Sequence, residues 1–265
     1  MQPFYFGRPE KSLFGIYHPP SGDRARNCGI VICHPMGREY ILGYRALRQL
    51  AHQLARAGFA VLRFDYYGCG DSAGDGGEGS IMQWINDIEA AIEEVKHRGA
   101  SSKICLVGAR LGAALGVLVG VPRSDVEAIV LWDPVLDGKN YVSDLVAQHQ
   151  EWLNERSTEI QTPESTQKTL EVLGYPFSAT LQEDLGRINL LTVERCPAKH
   201  VLTLENDKTS SGIQLSDHWK ESGADSEYQH ISGSRVWIRS QGADNVVVPA
   251  QMLQTIVGWV SRITT

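Results

Sequence analysis

The stretch Gly108-Ala109-Arg110-Leu111-Gly112 has the spacing of a nucleophile elbow, G-x-S-x-G, in which an apolar strand turns sharply into a helix. The central position holds an arginine. A guanidinium stays protonated near neutral pH, so it can act neither as nucleophile nor as base. It offers permanent charge and a planar fork of donors, at a helix N-terminus whose free N–H groups already favour anions. In one reading Arg110 pairs with a carboxylate, Asp207 or Asp133, as a sealed substitute for a catalytic triad, because an uncompensated buried charge costs several kcal/mol. In the other it clamps a carboxylate, phosphate or enolate-like oxygen of a ligand. Both can hold at once.

A triad for acyl transfer also needs an imidazole and a carboxylate that orients it. The acid can be placed twice, at Asp207 after strand 200–206 and at Asp133 after strand 128–132. The base cannot, because the segment "ISGSRVWIRSQGADNVVVP" contains no histidine. His230 falls inside a strand and reads as packed or surface. A conventional serine hydrolase would require Ser72 or Ser234 to reach an imidazole.

Other pieces of such a site remain. The amides of Met36 and Leu111 stand where an oxyanion hole would form. His34 opens the loop after a buried strand, where it holds loop geometry or, alternatively, transfers protons. Cys69 lies at the expected pocket rim, but no imidazole is assigned beside it and it reads as structural. Asp71 and Ser72 stabilise a Gly-rich turn, and Trp237, near the absent histidine, is a candidate for lining the pocket.

Strands alternating with helices must position these groups. Apolar runs at "LFGIYHPP", "GIVICHPMG", "FAVLRFDYYG", 103–109, "EAIVLWDPV", "AKHVLTLEND" and "SEYQHISG" read as strands. Between them lie amphipathic helices, among them "YRALRQLAHQLARAG", "MQWINDIEAAIEEVKHRG", 111–121, "GIQLSDHWKESG" and a closing "PAQMLQTIVGWVSRI". The alternation implies an α/β fold with a mostly parallel central sheet flanked by helices, and ligands at the carboxyl ends of the strands. From 138 to 195 the rhythm breaks into two helical stretches. The expected organisation is a core of 1–137 and 196–265, with 138–195 inserted as a helical lid.

These motifs resemble the α/β-hydrolase superfamily: "HPMG" its oxyanion loop, "DYYGCGDS" its D-x-R-G-x-G-x-S segment and "GARLGA" its elbow. They are similar in particular to the exosortase A system-associated hydrolases of type 2, through His34-Pro35-Met36, Gly68–Ser72, Ala109–Ala113 and "VLWDPV" at 130–135. That group carries the same elbow arginine. The resemblance covers about residues 29–145 and implies the fold more firmly than the chemistry.

The 265 residues are 42% hydrophobic and 21% charged, which suits one large globular domain. A net charge of −6 argues against nucleic-acid binding. No stretch spans a membrane, and the N-terminus shows no secretory signal. Five cysteines without metal-type spacing fit a reduced cytoplasm and no metal or cofactor. Two functions compete. One is an enzyme of unusual mechanism acting on an acyl ester or thioester, small or carrier-bound, in a biosynthetic pathway. The other is a non-catalytic pseudo-hydrolase that binds an anionic metabolite or a biosynthetic partner protein; a homodimer is also open.

Overall fold

A computed structural model describes residues 1–21, 25–156, 170–233, 236–237 and 248–264. Its centre is an eight-stranded sheet built from β1 (Gln2–Arg8), β2 (Lys11–His18), β3 (Cys28–Cys33), β4 (Ala60–Phe64), β5 (Lys103–Ala109), β6 (Val126–Trp132), β9 (His200–Glu205) and β10 (Asp225–His230). The order is β1-β2-β4-β3-β5-β6-β9-β10. From β4 to β10 every pairing is parallel, while β1 and β2 add an antiparallel edge.

Every residue of β3 and of β4 is buried, which is why β3 reads as an unbroken apolar run and β4 as one broken only by Arg63. α1 (Gly37–Arg56) and α7 (Ala250–Ile263) cover one face of the sheet. α2 (Ile81–Gly99), α3 (Leu111–Gly120) and α6 (Ser210–Glu221) cover the other. The core elements therefore lie where the periodicity of the sequence puts them, apart from β1. That edge strand is mostly exposed, and its weak alternation gave no signal.

The segment 138–195 differs from expectation in one respect. It holds α4 (Gly138–Arg156) and α5 (Ala179–Gly186), but between them β7 (Leu170–Val172) and β8 (Tyr175–Phe177) form an antiparallel hairpin where a helix was expected. The physical cause is local. Leu173 and Gly174, at φ 53° and 89°, make a two-residue turn of the kind that closes hairpins, and Pro176 is hostile to a helix interior. Tyr175 packs over Gly37 at the start of α1, so the hairpin rests on the β3–α1 loop. The end of the first expected helix, 157–160, and the start of the second, 165–169, lie outside the described residues.

Candidate active site

The carboxyl ends of β3, β5 and β6 bring the loops of the site together. At the end of β5 the chain turns through Arg110 at φ 52°, ψ −121°, and α3 begins at the next residue. This conformation is costly for a residue with a side chain, on the order of 1–3 kcal/mol, and the surroundings enforce it. A Cβ on Gly108 would meet the Ala113 backbone at 2.4 Å, and one on Gly112 would come within 2.2 Å of the Cys33 carbonyl oxygen. The two glycines thus let α3 start hard against β3 and β5, and the main chain of Arg110 is fixed by its N–H donating to the Trp132 carbonyl at 3.0 Å.

The guanidinium is held from two sides. Its Nε donates to Glu39 Oε1 at 2.8 Å, and Nη1 donates to the Asp133 carbonyl oxygen at 3.1 Å. Tyr141 of α4 donates from its hydroxyl to Glu39 Oε2 at 2.8 Å, and its ring centroid lies 5.6 Å from the Arg110 guanidinium. Burial opposes the charge on Arg110, but Glu39, Tyr141 and Asp133 together outweigh it and the pKa is held above its ordinary value. Burial and then the Glu39 charge push the Tyr141 phenol well above its usual range. A quarter of the Arg110 side chain remains accessible, so part of its donor fork faces open space.

The ion pair therefore runs to Glu39, not to the expected carboxylates of Asp207 or Asp133. Asp133 accepts from Arg110 through its main-chain oxygen, and its charge adds to the field that keeps the guanidinium protonated. Its carboxylate turns the other way, accepting from the Asn206 amide at 2.8 Å and from the indole Nε1 of Trp237 at 2.8 Å. Asp207 is exposed on the turn that follows β9. Glu39 was missed, although a signal existed. With Gly43, Ala46 and Leu50 it forms the buried stripe of α1, and a carboxylate on such a stripe needs a partner. Tyr141, at the start of α4, was also missed.

Trp237 is buried, with its ring 4.9 Å from that of Trp132, and it points its N–H at Asp133. An imidazole would donate to a triad acid in the same way, but an indole has no lone pair with which to take up a proton. His230 ends β10 at the sheet edge, exposed, and contacts the Asn206 carbonyl at 3.1 Å, so of the two expected placements it takes the surface one.

His34 is not joined to this group. Its Nδ1 donates to the Pro35 carbonyl at 2.6 Å, and its ring lies 4.1 Å from Tyr40 and 4.2 Å from Tyr66. Burial lowers its pKa and keeps it neutral, contacts that suit a residue fixing the loop. The amides of Met36, which caps α1, and Leu111, the first residue of α3, are among the helix-end donors that have no intrahelical partner. Burial pushes the Cys69 thiol up to about 12, which makes it a poor nucleophile. Ser72 is likewise structural: its hydroxyl donates to the Asp65 carbonyl and accepts from the Phe14 amide at 2.8 Å. Asp71 supports the same turn through its N–H, which donates to the Asp65 carboxylate at 3.0 Å. Ser234 lies outside the described residues. Among the described residues no cluster of side chains is suited to a metal ion.

Comparison with known proteins agrees with this architecture. Residues 27–183 match the Serine aminopeptidase, S33 family, and the chain belongs to it. The fold is that of the α/β hydrolases. The esterase Est1E of Butyrivibrio proteoclasticus, solved with ferulic acid bound, superposes with a TM-score of 0.68 at 16% identity, covering 98% of each chain. An esterase of Pyrococcus furiosus gives 0.68 at 15% identity, covering 100% of this chain and 91% of its own. A proline iminopeptidase of Mycobacterium smegmatis gives 0.66 at 11% identity over 99% of both chains. No curated protein sequence matches.

Proposed function

We propose that the elbow is an anion-binding site which holds an acyl ligand without forming a covalent bond to it. The observation that carries this reading is the Arg110–Glu39–Tyr141 arrangement at the position of a nucleophile. Glu39 neutralises the guanidinium and fixes it in one geometry, so binding a ligand oxyanion needs little reorganisation. The free part of the fork, with the Met36 and Leu111 amides, supplies donors for a carboxylate or a polarised carbonyl. What speaks against Ser-His-Asp chemistry among the described residues is that the elbow has no hydroxyl and the indole at Asp133 cannot accept a proton. Among the candidate residues, Arg110 thus binds, Asp133 orients Trp237, and Asp207 and His34 take no part in proton transfer.

A second reading is an enzyme in which water attacks an ester or thioester polarised by the same donors. It is favoured by membership of a peptidase family and by retention of the full elbow geometry. The likeness to the exosortase A system-associated type 2 group supports a biosynthetic setting and a carrier-bound acyl chain in either case. The inserted segment 138–195 acts as the lid, since Tyr141 reaches the ion pair from it. Five free cysteines suit a cytoplasmic location. No described helix is long and apolar enough to cross a membrane.

The test is an NMR titration that follows the Arg110 Nε–H signal, with butyrate and S-butyryl-N-acetylcysteamine as probes. The proposal expects a saturable shift of that signal, lost in Arg110→Met, and no release of thiol. No shift with either probe refutes anion binding. Thiol release that depends on Arg110 supports the second reading.

A further inference from the structure

A cavity lies on the side of the β3–α1 loop away from Arg110. It occupies about 370 Å³ between the first turns of α1 and the ends of β2, β3 and β4, within the size range of small-molecule sites. Glu39 faces Arg110, whereas its neighbours Tyr40, Ile41 and Tyr44 line this space. The start of α1 thus separates the two. Most of the wall is apolar, with Phe14 and Ile16 from β2 facing Ile41, Tyr44 and Leu47 from α1.

Into this wall is set a guanidinium that forms no ion pair among the described residues. Arg63 of β4 is 7% exposed. Among the described residues its one hydrogen bond runs from Nε to His18 Nε2 and is long, at 3.5 Å. Its Nη2 has no hydrogen-bond partner among the described residues. Tyr44 lies 5.2 Å from the guanidinium and supplies only a ring face. Asp65 also lines the cavity, but the Tyr40 hydroxyl and the Asp71 amide hold its carboxylate, and it makes no ion pair with Arg63. His34, 3% exposed, adds a second unpartnered atom at the wall, its Nε2. With Nδ1 donating to Pro35, that nitrogen is an acceptor.

Buried guanidinium groups are nearly always paired, and leaving one unpaired costs several kcal/mol. A cavity that combines such a group with an apolar wall is complementary to a molecule carrying an anionic head on an apolar body. We infer that this cavity binds an amphipathic oxyanion, a carboxylate or phosphate monoester on a short apolar chain, with Arg63 as its counter-ion. The chain lies along Ile16, Ile41 and Leu47, and a hydroxyl or amide near the head can donate to His34 Nε2. The site is independent of the elbow and of whatever the elbow binds.

Isothermal titration calorimetry on the full chain with octanoate, octyl phosphate and octanol tests this. At least one anion binds, with octanol at least tenfold weaker, and the tighter anion identifies the head group. Arg63→Met weakens the anion at least tenfold while melting no lower than the wild type, because it removes an unpaired buried charge. Ile41 is 64% exposed, so Ile41→Asp tests the site without disturbing the fold and weakens the anion by electrostatic repulsion. If Arg63→Met does not fold, Ile41→Asp decides alone. The double variant Arg110→Leu/Glu39→Leu retains binding; its loss there would assign the anion to the elbow and overturn the inference. So would equal binding of octanol, undiminished binding in Arg63→Met or Ile41→Asp, or no binding of either anion at millimolar concentration.

Discussion

Arg110 can remain buried because Glu39 answers its charge. Breaking a buried ion pair from one side leaves the other charge stranded, at a cost of about 3–5 kcal/mol, less where solvent still reaches the pair. Glu39→Gln is therefore expected to lower unfolding stability by about 2–4 kcal/mol in urea titrations. Removing both charges in Arg110→Leu/Glu39→Leu should recover most of that loss. Arg110 could be picked out in the sequence because it interrupts a local five-residue pattern. Its partner could not be paired with it, since Glu39 lies 71 positions away and only the packing of α1 beside β5 brings them together. The expected partners, Asp133 and Asp207, were chosen by their places at strand ends. Strand-end position does not fix where a carboxylate points.

At the level of elements, the elbow is a steric device. Adding a methyl group to Gly112 pushes it into the Cys33 carbonyl, which cannot yield without moving β3. Gly112→Ala is expected to cost about 3 kcal/mol or more, read as a lower denaturation midpoint at unchanged m-value. The buried parallel strands and amphipathic helices were legible because burial on both faces, or along one stripe, leaves a periodic trace. Where burial is slight the trace fades, as in β1. In the hairpin of β7 and β8 the breakers Gly174 and Pro176 were present, but strands of three residues are too short to show a period. The elbow geometry also predicts that Arg110→Ser exposes a hydroxyl with no base to activate it. That variant should stay inert toward p-nitrophenyl esters.

Across the whole molecule, buried histidines should make stability depend on pH. Burial, reinforced by Arg63, His52, the N-terminal amine and Arg48, lowers the pKa of His18 from 6.5 to about 3. Burial lowers that of His34 as well. A base with a depressed folded pKa takes up its proton first in the unfolded chain, so acid favours unfolding. Stability should be complete above pH 6.5 and fall as the pH drops toward 3. His18→Gln should flatten that fall in urea titrations run from pH 7 to pH 4; an unchanged slope would remove His18 from the account.

The central claim is that this scaffold carries no activated nucleophile at its elbow. Intact-mass spectrometry of the wild-type chain after exposure to a fluorophosphonate tests it most directly. The account predicts an unmodified mass after prolonged incubation at neutral pH. A stoichiometric single adduct, mapped to a serine beside Arg110, would contradict it.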